Sequence, residues 1–266
     1  MVRLGVAFYG LPRGHALTQP VLQRLLDTLR RDFEVLPRYH LYHVKELSNP
    51  RSGEQAAMAA QAYDWFADMP GELMAPEDVP AAWMNALLAR AGDVQHDGQR
   101  SARNLLLQLY SLRAVTRALI DDRPDAVLFL RPDLLYHDPP DAALIQRVIA
   151  QPRLCLLPSW QWWGGMNDRF AICGRSAYRH YGLRVDTVDA FLARHPGHLH
   201  AESLVRSALL NASVKVRLIE NKASRVRETS RLHAENFDVR ATLGGGWRQR
   251  ALHAVLARLS DQWPWP

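Results

Sequence analysis

Lysine is nearly absent from this chain. Of 33 basic residues in 266, only Lys45, Lys215 and Lys222 are lysines, and the remaining 30 are arginines. No run of five or more basic residues occurs and no nucleic-acid-binding motif is present, so nucleic acid is not an expected partner. Cysteine is equally scarce. Cys155 and Cys173 lie in apolar segments and read as small core residues, which points to a reducing compartment. No apolar run approaches the ~18 residues of a membrane span. Residues 1–10 open like a strand and lack a secretory apolar region. A soluble, cytoplasmic protein is the expectation. Neither GxGxxG nor a Walker P-loop occurs.

What is present suits an α/β protein that binds anions. Apolar content is 48% and the net charge is +6 with a pI near 9.6. Arginine offers planar, bidentate pairing with phosphate or carboxylate, and scattered arginines fit a phosphorylated small molecule better than a polymer. The central stretch is Asp125 to Tyr136. Ala126–Leu130 is a short apolar run between Pro124-Asp125 and Arg131-Pro132 and reads as a buried strand. It delivers Arg131 and Asp133 at its carboxyl end, where open α/β sheets bind ligands.

Taken in order, Arg3–Tyr9 reads as a first strand running into the loop Gly10-Leu-Pro-Arg13-Gly14. Such a strand-to-glycine-loop junction is a common nucleotide seat, which makes Tyr9, Gly10 and Arg13 candidates. Thr18 is expected to cap a helix with Pro20 early in it. Residues 33–42 read as a strand in which His40 and His43 are surface or half-buried, with no third metal ligand nearby. Residues 48–53 read as a loop, 54–69 as a helix, 69–80 as an irregular excursion and 81–91 as a short helix. Ser101 opens a long amphipathic helix whose outward face carries Gln108, Tyr110, Ser111 and Arg113. Helices follow near 141–150, 176–181, 187–194 and 201–210, and strands near 153–158 and 214–219.

Two later segments carry chemistry. In Ser159-Trp-Gln-Trp-Trp-Gly-Gly-Met-Asn167-Asp168-Arg169, tryptophans beside flexible glycines suggest a loop that grips a sugar ring or a base, with a plug over the sheet as the plain alternative. Asp168 and Arg169 stand at the mouth of a short strand. His200-Ala-Glu202 opens a helix, where Glu202 suits the helix dipole or serves as a general base. Lys222, Arg225 and Arg227 follow the last strand as a diphosphate clamp. Gly244–Gly246 marks a break before a basic amphipathic helix over 247–263, which packs on the body or lies on an anionic membrane.

Four segments in order resemble bacterial sugar transferases of the GT-A type, from the capsule and lipopolysaccharide branch. They are Gln108-Leu-Tyr110-Ser, Leu130-Arg-Pro-Asp133-Leu-Leu-Tyr136, Asn167-Asp-Arg-Phe-Ala-Ile172 and His200-Ala-Glu202. Related segments also occur in uncharacterised plant proteins. The resemblance spans roughly residues 2 to 230. It implies a GT-A-like, Rossmann-like, mostly parallel central sheet with helices on both faces over residues 1–243, and a helical tail over 244–266. It also implies a nucleotide-sugar donor and a glycan or lipid-linked acceptor hydroxyl, in surface polysaccharide synthesis. Donor contacts are expected from Tyr9, Gly10, Arg13, Tyr110, Arg131, Asp133, Lys222, Arg225 and Arg227. Acceptor contacts are expected from Trp162, Trp163, Asn167, Arg169 and His200, with Asp168 or Glu202 as base. Such enzymes usually hold a divalent metal on an Asp-x-Asp motif. Arg131-Pro-Asp133 stands there instead, which leaves Mn²⁺ or Mg²⁺ on Asp133 an open expectation. Peripheral contact of the tail helix with the inner membrane face is a further one. The competing classes are a non-catalytic nucleotide- or glycan-binding module and a nucleotidyltransferase-like α/β enzyme.

Overall fold

The computed structural model describes residues 1–49, 53–239 and 246–261, with Asn49 and 257–261 as backbone only. In chain order the elements are β1 (Arg3–Gly10), α1 (His15–Leu29), β2 (Glu34–Tyr42), β3 (Glu46–Asn49), β4 (Glu54–Ala57), β5 (Gly71–Met74), α2 (Ala81–Ala91), α3 (Arg100–Ile120), β6 (Ala126–Leu130), β7 (Leu134–Tyr136), α4 (Ala142–Ala150), β8 (Leu154–Pro158), β9 (Ala171–Gly174), α5 (Tyr178–Gly182), α6 (Val188–Arg194), α7 (Ala201–Asn211), β10 (Lys215–Ile219), β11 (Ala223–Arg225) and α8 (Trp247–Asp261). Seven strands form one sheet in the order β10-β8-β9-β6-β1-β2-β5. Every pairing is parallel except those of β9, which runs against both β6 and β8. Two small antiparallel pairs, β7–β11 and β3–β4, lie outside it.

The central strands β6, β8 and β9 are apolar and buried throughout because both faces of the sheet are covered there. Side chains alternate between faces at a period of two. Leu4, Val6 and Phe8 of β1 point with Leu128 and Leu156 into a core closed by Leu22 and Leu26 of α1 and Ile145 and Val148 of α4. Ala7 and Tyr9 point with Val127, Phe129 and Cys155 into the opposite core, closed by α3, α5, α7 and α8. The expected α/β class, mostly parallel with helices on both faces, is the observed one. Helix α4 starts where Asp141 accepts the backbone N–H of Leu144 at 3.0 Å, a cap worth about 1 kcal/mol.

Several local expectations are corrected. Helix α1 begins three residues before Thr18. Its cap is Gly14, with φ +59°, whose place a larger residue could not take because a Cβ would meet Val226 at 2.2 Å. Residues 54–69 are not a helix. Glu54–Ala57 instead turns back antiparallel on Glu46–Asn49, and 3₁₀ turns follow at Ala60–Ala62 and Asp64–Phe66. Hairpin pairing overrides the helical preference there. Pro50 to Ser52 of the expected loop lie outside the described residues. Gly71–Met74 joins the sheet edge beside β2. His40 is buried, edge-on to Tyr42 and Tyr110, while His43 is exposed.

Residues 244, 245 and 262–266 of the expected tail, Gly244 and Trp263 among them, lie outside the described residues. Helix α8 packs on the body. Leu252 and Leu256 meet the second core, and the His253 ring stands edge-on to Trp162 at 4.8 Å. Gln249 is buried, donating to the Gly165 carbonyl at 2.7 Å and accepting from Arg206 at 2.6 Å. Leu252 and Leu256 of the face expected to touch a membrane therefore meet the protein, while Val255 and, at the helix start, Trp247 are exposed; the side chain of Leu259 lies outside the described residues. No helix among the described residues is long and apolar enough to cross a membrane.

Candidate active site

The parallel strands β1 and β6 end at one rim of the sheet. Strand β9 runs the other way, so its beginning lies at that rim too. The turns leaving β1 and β6, the loop entering β9, the start of α7 and the segment after β11 thus converge. They line a cleft of about 1040 Å³. Among the described residues, six arginines and four carboxylates face it: Arg13, Arg131, Arg169, Arg225, Arg227 and Arg231 against Glu54, Asp93, Asp133 and Glu202. No lysine lines it.

The first charge network surrounds the β6 turn. Arg131 donates from Nε to Asp133 Oδ1 at 3.0 Å and from Nη2 to Oδ2 at 2.9 Å. Arg13 adds a third donor to Oδ2 at 2.5 Å. Pro132 between Arg131 and Asp133 restricts the backbone that presents this fork. Arg13 also donates to Glu54 Oε2 at 2.9 Å, and Arg227 to the same oxygen at 3.2 Å. Burial alone would raise the Asp133 carboxyl, but Arg131 and Arg13 hold it far below the ordinary carboxylate range. These residues do not fit a divalent cation. Both Asp133 oxygens are taken by guanidinium donors, and an ion there would have to displace two arginines or sit among them. No group of three His, Cys, Asp or Glu able to hold a metal occurs among the described residues.

The second network surrounds the entry to β9. Asp168 is buried and accepts from Arg169 at 2.9 Å and from Gln108 at 3.3 Å. Burial opposes its ionisation, yet Arg169, Arg131 and Arg184 keep it charged. Arg169 reaches on to Gln161 at 3.2 Å, and Gln161 to Glu235 at 2.5 Å. Arg225 donates to Glu235 at 2.6 Å. Gln108 joins the two networks, because its Oε1 accepts from Arg131 at 3.1 Å while its Nε2 serves Asp168.

Glu202 differs from every other carboxylate here. It sits in the first turn of α7, is 6% exposed, and has no guanidinium bonded to it among the described residues. Burial, together with the negative charge of Asp168, pushes its carboxyl up to about 8. Its nearest basic partner is His200, with Nε2 3.4 Å from Oε2. Burial and His198 in turn hold His200 below the usual imidazole range. The loop 164–166 is pressed against this helix start. Met166 N–H donates to the Glu202 carbonyl at 2.9 Å, and a Cβ at Gly165 would lie 2.0 Å from the Glu202 carbonyl carbon.

Of the residues singled out in sequence, the cleft brings together Gly10, Arg13, Arg131, Asp133, Trp163, Arg169, His200, Glu202, Arg225 and Arg227. Others stand elsewhere. Trp162 is fully buried, its Nε1 donating to the Pro158 carbonyl at 2.9 Å, so its ring has no face for an acceptor. Trp163, 52% exposed, is the tryptophan that reaches the cleft. Asn167 is buried and braces the loop, donating to the Trp160 carbonyl at 2.6 Å and accepting from Arg169 N–H at 2.8 Å. Tyr110 packs with Trp83 and Arg113 away from the cleft. Lys222 is exposed with its ammonium over Phe237 at 5.9 Å, outside the clamp expected of it. Tyr9 is buried beneath the floor, near Arg131, Asp168 and Arg184. Asp168 lies behind the lining, holding Arg169. Glu54, Gln161, Arg184 and Glu235 carry no local signal in the sequence, and Gln108 reads there as a solvated helix face.

No protein-family model matches the chain, and no characterised protein matches it in sequence. Among solved structures it is similar, at 13% identity and a TM-score of 0.39, to the galactosyltransferase LgtC in complex with donor and acceptor sugar analogs, over 80% of this chain and 72% of that one. It is also similar to mouse xyloside xylosyltransferase 1 in its apo form, at 11% identity and a TM-score of 0.40, over 82% of this chain and 85% of that one. Values this low carry no argument about activity.

Proposed function

We propose that this protein is a glycosyltransferase that moves a sugar from a nucleotide-sugar donor to a hydroxyl of a glycan or lipid-linked acceptor. The observation that carries the reading is the cleft itself, where arginines from separate elements face a buried carboxyl held near neutrality. Glycosyl transfer needs the departing nucleotide diphosphate to be neutralised, and preorganised arginines supply that charge in a site shielded from water. It also needs the acceptor hydroxyl to lose a proton. Glu202 lines the cleft and titrates close to working pH, which suits a general base in an inverting transfer. Asp168, fully engaged by Arg169 and Gln108, positions its neighbours. Trp163 offers the exposed ring on which an acceptor sugar stacks. The setting in surface polysaccharide synthesis rests on the resemblance of the four sequence segments. The test is to incubate the protein with a panel of nucleotide sugars and follow release of free nucleotide. Slow donor hydrolysis, raised by added glycans, is expected. Binding without turnover overturns the reading in favour of a binding module, and pyrophosphate release from a nucleoside triphosphate overturns it in favour of nucleotidyl transfer.

A further inference from the structure

Glu54 is out of place as a structural residue. It is 7% exposed, yet it comes from β4 of an outlying hairpin and projects into the arginine side of the cleft. Its Oε2 accepts from Arg13 at 2.9 Å and Arg227 at 3.2 Å, and its Oε1 from the backbone N–H of Glu228 at 3.0 Å. Two guanidiniums and a main-chain N–H around a pair of anionic oxygens is how proteins bind phosphate. Arg13 Nε, also buried there, has no hydrogen-bond partner among the described residues. The hairpin does not depend on Glu54 for its attachment. The Glu228 side chain accepts from Ala59 N–H at 3.0 Å and from Gly14 N–H at 3.1 Å, tying the end of β4 to the start of α1.

We infer that Glu54 stands in the place of a phosphate group, and that Arg13 and Arg227, backed by Arg131, take a diphosphate there without a divalent cation. This rests on the reading of the cleft as a nucleotide-sugar site. A diphosphate entering the cleft displaces the Glu54 carboxylate from both guanidiniums, while Glu228 keeps the hairpin attached. The ligand class is an organic or inorganic diphosphate whose charge is met by arginine alone.

The probe is sodium pyrophosphate, titrated calorimetrically into the full chain in EDTA and again with MgCl₂. Binding in EDTA is expected. Arg227→Gln removes one charged donor while leaving the Asp133 network intact, and is expected to weaken binding by roughly tenfold or more. Glu54→Gln removes the internal competitor and is expected to tighten it. Thermal melts confirm that each variant is folded, and if Glu54→Gln does not fold, Arg227→Gln decides the matter. Binding that needs Mg²⁺, or affinity unchanged in Arg227→Gln, overturns the inference, as does weakened binding in folded Glu54→Gln. Nucleotide-sugar hydrolysis is scored separately. Turnover that requires a divalent ion removes this inference and keeps the transfer reading. Pyrophosphate binding in EDTA with no turnover of any nucleotide sugar keeps the anion site and removes the transfer reading.

Discussion

Replacing Glu202 with glutamine isolates one proton. In the folded chain this carboxyl is pushed from its ordinary 4.5 to about 8, first by burial and then by Asp168. A raised carboxyl binds its proton more tightly folded than unfolded. Its stabilisation is therefore fully present below the ordinary value and lost as pH rises through the folded one. Across that window the wild type should lose about 1.4 kcal/mol per pH unit relative to a variant that cannot titrate. From pH 5 to pH 8 the gap between Glu202→Gln and wild type should thus shift in favour of glutamine by up to about 4 kcal/mol. Urea unfolding of both proteins at pH 5, 6.5 and 8 measures it, and contributions from groups common to both cancel in the difference. Turnover supplies an independent reading. If Glu202 is the base, wild-type kcat should climb about tenfold between pH 7 and 9 and level off, with Glu202→Gln nearly inactive throughout. A stability gap that stays constant from pH 5 to pH 8 would show the carboxyl ionised in the fold, and the assignment of Glu202 as base would lose its physical ground.

Other outcomes follow from the same contacts. Arg131→Met leaves Asp133 buried with one guanidinium fewer and should cost about 3–5 kcal/mol in urea unfolding. Asp133, Asp168 and Glu235 are all held below their ordinary values by arginines, against the pull of burial. Their stabilisation is present above the ordinary carboxylate range and lost as pH falls below it, so acid unfolding should set in at a higher pH in Arg131→Met. Trp162→Ala should cost about 3–5 kcal/mol as a core deletion. Trp163→Ala should leave stability within about 0.5 kcal/mol while raising the KM for acceptor. Ending the chain before Trp247 should lower the melting temperature by exposing Leu218 and Trp162, and the intact protein should not sediment with anionic vesicles.

The sheet was legible because its strands are short apolar runs between turn residues, as with Ala126–Leu130. The carboxyl-end rule then led directly from β6 to Arg131 and Asp133. Chemistry carried by a strand terminus or a helix start, as with Arg169 and Glu202, is visible in this way. Chemistry assembled across the chain is not. Glu54 belongs to the cleft only because a hairpin pairs back on itself, and Glu235 only because Arg225 reaches it across ten residues of sequence. Composition misled at Trp162, since Ser159 to Arg169 shows three tryptophans with no indication of which ones the core takes. Lys222 failed for a geometric reason. It neighbours β11 as Arg225 does, but strand alternation sends it to the other side. The α8 periodicity was read correctly as amphipathic, and its apolar face found a protein partner instead of a lipid one.

The reversed direction of β9 has a consequence for how such a cleft changes. The segment 159–170 leaves the sheet from β8 and re-enters it through β9 at the same rim, so it is a loop anchored at both ends there, buried along most of its length with Trp163 exposed. Its length is set by nothing on the far side of the sheet. A side chain can be exchanged at its exposed turn without shifting the register of Cys155 against Cys173 or Leu156 against Ile172. Buried Trp160, Gln161, Trp162 and Asn167 and the close approach of Gly165 to α7 mark the fixed part, leaving Trp163 and Gly164 as the portion open to variation. A change at Trp163 reshapes one wall of the cleft while the arginines opposite it stay in place.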